Sequence, residues 1–226
     1  MSNTFKALSA LLSYPTPPLK EAAGAIRILL KEEAIAPRWA QLDPLIDDIE
    51  SSDLYDLQER YVHLFDRTRS LSLHLFEHVH GESRDRGQAM VDLQSLYARS
   101  GLEMQAGELP DYLPLFLEFL STRPVEEARE LLGEASTVIA ALKERLGKRA
   151  SPYAAVFRAL EAIAARAPDA GGVAELRKAP DEDPDDLEAL DAAWRDQPVT
   201  FGPADAGCPR AHEILNRIRA SGATGS

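Results

Sequence analysis

The sequence predicts an all-α fold: a single-domain bundle of seven to nine helices, followed by an acidic, partly irregular carboxy-terminal tail. Three observations carry that expectation. Apolar residues recur at three- and four-residue spacing along most of the 226 positions, period-two alternation is missing, and no strictly apolar run exceeds five residues, far short of a membrane span. A composition of 45% hydrophobic and 27% charged residues is ordinary for a globular domain and excludes disordered, collagenous and disulfide-scaffold classes. The formal net charge of −12 repels phosphate backbones and anionic headgroups, so nucleic acid is not an expected partner while basic peptides are.

Each element follows in chain order. Phe5, Leu8, Leu11 and Leu12 form one side of an amphipathic first helix. The same stretch superficially resembles a signal-peptide core. It has only one base, Lys6, no cleavage site, and a break at Tyr14-Pro15-Thr16-Pro17-Pro18, so a cytoplasmic, soluble protein is expected. Leu19, Ala22, Ala23, Ile26, Leu29 and Leu30 give the second helix. Around Leu42, Leu45, Ile46 and Ile49, Pro44 either kinks a helix or begins a new one with Asp43 as cap. Ser52 or Asp53 caps the next, whose buried face is Leu54, Leu57, Tyr61, Leu64 and Phe65. Arg67 to Leu75 reads as an irregular connection, and Met90 to Tyr97 as a helix stopped by Ser100-Gly101. Leu109-Pro110-Asp111 opens a short, very apolar helix. From Pro124, one helix of about six turns is expected through Val125, Leu131, Val138, Leu142 and Leu146. Pro152 then opens a last one, through Ile163.

The predicted helical domain spans 1–167, and 168–226 is read as linker and tail. Gly171-Gly172, Pro180 and Pro184 break the pattern, with a short helix expected at Leu187 to Trp194. Between Asp181 and Asp196 eight acids face one base, Arg195, so this stretch supplies −7 of the −12. The peptide-binding capacity of the body therefore has to rest on a few placed carboxylates, not on net charge.

Enzymatic templates fail. GxSxG, phosphate-loop and GxGxxG patterns are all missing, and the lone Cys208 lies in a Gly- and Pro-flanked tail, so no catalytic residue and no bound cofactor or metal is expected. One alternative stays open. In a helix, His74 and His78 would share a face with Glu77 beside them and His80 following, a conceivable zinc or iron set for a metal-dependent enzyme. Against it, Glu82, Arg84, Asp85 and Arg86 can equally form helix-end ion pairs, or border a groove that contacts a partner. The aromatic-rich Tyr112 to Leu120 helix is both a natural core element and a possible flank of such a groove for an amphipathic helix.

Several segments together carry a family likeness. Tyr61-Val62-His63-Leu64-Phe65-Asp66-Arg67, Leu75 to Gly87 (LFEHVHGESRDRG), Gln88 to Leu93, Glu108-Leu109-Pro110-Asp111-Tyr112-Leu113-Pro114 and Trp194 to Gly202 closely resemble the NarJ family, the molybdenum-cofactor assembly chaperones of respiratory nitrate reductase. The wider group is the TorD-like redox enzyme maturation proteins. The resemblance implies a non-catalytic, cytoplasmic helical chaperone. It would bind the amino terminus of the nitrate reductase catalytic (alpha) subunit, a remnant of a twin-arginine signal, and keep the apoenzyme open for cofactor insertion. Molybdenum cofactor delivery proteins are further partners it implies. The family's usual Pro-Asp-His stands here with Tyr112 in place of the histidine. On these motifs and helix faces the expected peptide-binding residues are Tyr61, Phe65, Asp66, Glu77, His78, His80, Arg84, Asp85, Arg86, Asp111, Tyr112, Leu115 and Glu118. The other reading within the class is a chaperone for a chlorate, selenate or sulfoxide reductase.

Overall fold

Ser2 begins the fold by capping the first helix: its Oγ accepts from the Thr4 amide, and the Glu33 carboxylate, arriving from the end of the second helix, accepts from the Asn3 and Thr4 amides and the Ser2 and Thr4 hydroxyls. The computed structural model describes residues 2–33, 39–80, 84–104, 107–181, 183–186 and 188. Eleven α-helices are present among them: α1 (Asn3–Leu12), α2 (Pro17–Glu33), α3 (Asp43–Ser51), α4 (Leu54–Phe65), α5 (Leu75–His80), α6 (Arg84–Arg99), α7 (Leu113–Ser121), α8 (Val125–Glu134), α9 (Ser136–Lys148), α10 (Ala154–Ile163) and α11 (Ala170–Lys178). The all-α expectation holds, with short 3-10 turns at Trp39–Leu42 and Arg69–Leu71 and a single isolated bridge in place of any sheet among the described residues. No described helix is long and apolar enough to cross a membrane.

The helix α1 is central because Phe5, Leu8, Leu11 and Leu12 are all inaccessible to solvent, each burial stabilising by roughly 1.5–3 kcal/mol. It packs against α2, α7 and α10, and the Ser9 hydroxyl donates to the Pro114 carbonyl at 2.7 Å, tying it to the first turn of α7. Pro44 begins a new helix instead of kinking one. Leu42 holds the cap position of α3 without a side-chain bond, and Asp43, the expected cap, pairs with Arg27 instead. At α4 the expected cap does form, Asp53 Oδ1 accepting from the Tyr55 amide at 2.8 Å. Gly101, at φ +77°, closes α6 in the left-handed conformation, and the Leu102 amide returns to the Tyr97 carbonyl at 3.0 Å.

The helix count exceeds the expected seven to nine for three local reasons. The six-turn helix expected from Pro124 is two, α8 and α9, broken at Ala135, whose amide makes a tight bond to the Leu132 carbonyl. Gly133 sits just before the break, where an added Cβ would press on Arg166 at 3.3 Å, so the glycine lets the chain leaving α10 approach closely. Next, α5 and α6 are separate elements. Finally, residues 170–178, within the expected linker, form α11 against α9, started by Asp169 Oδ2 accepting from the Gly172 amide at 2.6 Å. The expected short helix at Leu187 to Trp194, the motif Trp194 to Gly202 and Cys208 lie outside the described residues, apart from Glu188.

Candidate functional site

The family-motif residues converge on the segment that leads into α5. Leu73 to Leu75 runs antiparallel to Asp111 to Leu113: the Leu75 amide donates to the Asp111 carbonyl at 3.0 Å and the Leu113 amide to the Leu73 carbonyl at 2.8 Å. This short pairing carries Asp111 into the interior, where it has no solvent exposure at all. A buried carboxylate survives only with partners. Asp111 has two: Oδ2 accepts from the Phe76 amide at 3.1 Å, capping α5 from across the junction, and Oδ1 lies 3.1 Å from His74 Nδ1.

Around that pair the side chains form a polar knot. The hydrogen bond His74 donates to Asp111 holds the imidazole pKa above its ordinary value, against the opposing effect of burial. His78 is pushed the other way by burial and donates Nε2–H to the Ser72 carbonyl at 2.8 Å. Tyr112 stacks tilted on His74, ring centroids 5.4 Å apart. Its hydroxyl is 3.0 Å from that of Tyr61, and because Tyr61 spends its proton on the Leu12 carbonyl at 2.8 Å, Tyr112 is the donor between them. Burial pushes both phenols upward. Tyr61 also meets Phe65, Tyr153 and the half-exposed Tyr14 edge-on or tilted. Arg86 pairs with Glu77 at 3.3 Å. Asp66, exposed but partly stripped of hydration, has its pKa raised by that desolvation and carries no ion pair among the described residues.

The structure thus gathers Tyr61, Phe65, Asp66, Glu77, His78, Arg86, Asp111 and Tyr112 into one neighbourhood, but Tyr61, Phe65 and Asp111 are buried in it. Leu115 is buried and Glu118 exposed further along α7, beyond the residues that bond within the knot. His80, Arg84 and Asp85 belong to α5 and α6 by backbone, and their side chains lie outside the described residues. The conceivable metal set is not assembled: His74 precedes α5 instead of sharing its face, its Nδ1 faces Asp111 and His78 Nε2 faces a carbonyl. No group of three His, Cys, Asp or Glu able to hold a metal exists among the described residues.

The opposite side of α5 is different. Leu75, Phe76 and Val79, with His78 reaching it from the knot, line an apolar cavity of about 420 Å³, the size of a site for one or two large side chains. Its other walls are the α8–α9 junction, from Leu131 to Val138, and α11 through Leu176. Glu134, Asp169 and Glu175 stand at its margin against one base, Arg166, which pairs with Glu134. Sequence reading missed this cavity entirely. Gly133 was the available signal, a poor helix former inside an otherwise uninterrupted stripe.

Comparison with known proteins gives a consistent answer. Residues 31–159 match the family model described as nitrate reductase delta subunit. The chain is 44% identical over 224 residues to the nitrate reductase molybdenum cofactor assembly chaperone NarJ of Escherichia coli (strain K12), covering 96% of this chain and 92% of that protein. It is 39% identical to the probable nitrate reductase molybdenum cofactor assembly chaperone NarW of the same organism, over 87% of this chain and 82% of that one. With the probable chaperone NarJ of Bacillus subtilis (strain 168) it shares 34% identity over 70% of this chain and 85% of that protein. With the matched region running from the end of α2 into α10, through the α5 knot and the α8–α9 wall of the cavity, this chain belongs to the nitrate reductase delta subunit family of assembly chaperones.

Proposed function

We propose that the protein is a cytoplasmic chaperone of the nitrate reductase catalytic subunit, binding that subunit's amino-terminal segment while molybdenum cofactor is inserted and then leaving. The apolar cavity with its acidic margin carries this reading. An amphipathic basic segment needs an apolar recess for one face and carboxylates for the other, and Glu134 and Asp169 at the cavity margin, with Asp66, unpaired among the described residues, supply the second. The chain's own machinery does positioning only: the knot holds α5 so that Leu75, Phe76 and Val79 present a fixed apolar wall. The exposed parts of Tyr112, Glu77, Arg86 and Glu118 extend the contact surface beyond the cavity. Molybdenum cofactor delivery proteins would meet the same complex.

The test is calorimetric titration of the full chain with a synthetic peptide of the amino-terminal segment of a nitrate reductase catalytic subunit. Affinity near ~1 μM, about −8 kcal/mol, is expected. Val79→Trp fills the cavity from its half-buried edge and should weaken binding at least about tenfold, with Tm little changed. A corresponding peptide from a sulfoxide reductase should bind more weakly. No heat with the nitrate reductase peptide, or unchanged affinity in Val79→Trp, would overturn the reading.

A further inference from the structure

We infer that α11 and the acidic segment behind it, described at 179–181 and 183–186, form a hinged lid over the apolar cavity that is held shut by charge more than by burial. The helix supplies one wall of the cavity through Asp169, Gly172, Glu175 and Leu176. Its apolar hold on the body is slight. Gly172 and Val173 are its only buried residues and Leu176 is partly buried, whereas α10, of similar length, buries seven of its ten residues.

The remaining attachments are polar, and they run along the whole element. At the amino-terminal end the Asp169 amide donates to Thr137 Oγ1 at 3.2 Å, the natural hinge because the chain enters there from α10. Along the helix, Arg177 forks onto Glu144 of α9 at 2.7 and 2.6 Å, and both side chains are substantially exposed. Beyond it, Arg145 of α9 donates to the Leu176 and Ala179 carbonyls at 2.7 and 3.3 Å, and Arg149 meets Asp181 at 2.8 Å. The segment ends over α4, where Arg67 donates to the Pro184 carbonyl at 3.2 Å and His63 lies 3.0 Å from Asp185. Exposed ion pairs weaken as salt screens them, and an element with few apolar contacts opens at lower free energy than the body unfolds.

Opening has a defined consequence. A 420 Å³ cavity takes one or two side chains, whereas an amphipathic helix needs a groove several turns long. Swinging α11 out removes the Glu175 and Leu176 wall, uncovers the flank of α9, and releases Glu144 to meet a base on the incoming helix as it now meets Arg177. The helix α11 therefore occupies the place of the segment it admits. The occupant rests on the function proposed above; the lid does not.

Hydrogen exchange of the full chain without client tests the lid alone. In Glu144→Lys and in Asp181→Lys, amides of 172–179 should exchange at least about tenfold faster while those of 8–12 in α1 are unchanged. The native chain should show the same contrast between ~1 M and ~0.05 M NaCl, and fluorescence of anilinonaphthalene sulfonate should rise in parallel. Exchanging the charges, Glu144→Arg with Arg177→Glu, should restore slow exchange and low fluorescence. The lid is overturned if 172–179 exchange does not change, if it accelerates only together with 8–12, or if it accelerates without added dye fluorescence. Peptide binding that fails while these contrasts appear would sink the client and leave the lid; the opposite pattern would sink the lid alone.

Discussion

The two sides of α5 are built on opposite principles. On one side, the residues that stand out in the sequence, His74, His78, Asp111, Tyr112 and Tyr61, spend their polar atoms on one another and on backbone groups of Leu12, Ser72 and Phe76. On the other, plain residues such as Leu75, Val79, Ala135 and Leu176 leave a recess unfilled. In the knot the motif side chains support one another: both tyrosine hydroxyls, both Asp111 oxygens and one ring nitrogen each of His74 and His78 are bonded within the protein. The binding proposed above falls where packing is incomplete.

Breaking the knot should therefore cost stability and leave binding chemistry intact, the reverse of Val79→Trp. The largest effect is expected at Asp111. Replacing it with Ala strands the buried Phe76 amide and His74 and should destabilise the fold by about 3–4 kcal/mol in urea denaturation. A loss below about 1 kcal/mol would mean that the knot is not the support assigned to it here.

The pair also predicts a pH dependence. The folded His74 pKa is raised above the unfolded value of about 6.5, so its stabilisation is fully present below that value and is lost as pH rises through the folded pKa. His78, depressed by burial, contributes in the opposite sense: its stability is lost as pH falls. Comparing native and Asp111→Asn chains largely cancels the His78 contribution. The Tm gap between them should be wider at about pH 5.5 than at about pH 9, and a constant gap would place the protonated pair in doubt.

The smallest effect sharpens the boundary between the two sides. Tyr61→Phe removes the bond to the Leu12 carbonyl and leaves Tyr112 without its acceptor, while keeping the ring contacts with Phe65 and Tyr153. A loss of about 1–2 kcal/mol is expected, with peptide affinity within about twofold of the native chain. A tenfold loss of affinity at unchanged stability would move the binding surface onto the knot.

Much of the fold was legible in the sequence. Phe5, Leu8, Leu11 and Leu12, or Leu57, Tyr61 and Phe65, mark buried helix faces because a helix that packs on one side must repeat its apolar residues at three and four. Asp53 and Gly101 mark ends because cap chemistry is local. The break at Ala135 was not legible. The apolar stripe from Leu131 to Leu142 runs on across it, and the break accompanies a packing contact between Gly133 and Arg166, 33 positions away. Nor was α11, whose two glycines and flanking prolines favour a linker until Asp169 caps it and it packs on α9 with Val173 buried.

The sequence by itself determined that this chain is helical, that its body carries little net charge once the acidic tail is set aside, and that its motifs belong to an assembly-chaperone family, since periodicity, composition and motif identity need no partner in space. Tertiary structure alone decided which carboxylates are spent and which are free. Asp111 and Asp66 look alike in the sequence, but the antiparallel crossing at Leu73 to Leu75 buries one against His74 and Phe76 and leaves the other exposed and unpaired among the described residues. A carboxylate's role depends on what desolvates it and what donates to it, and both come from residues distant in the chain.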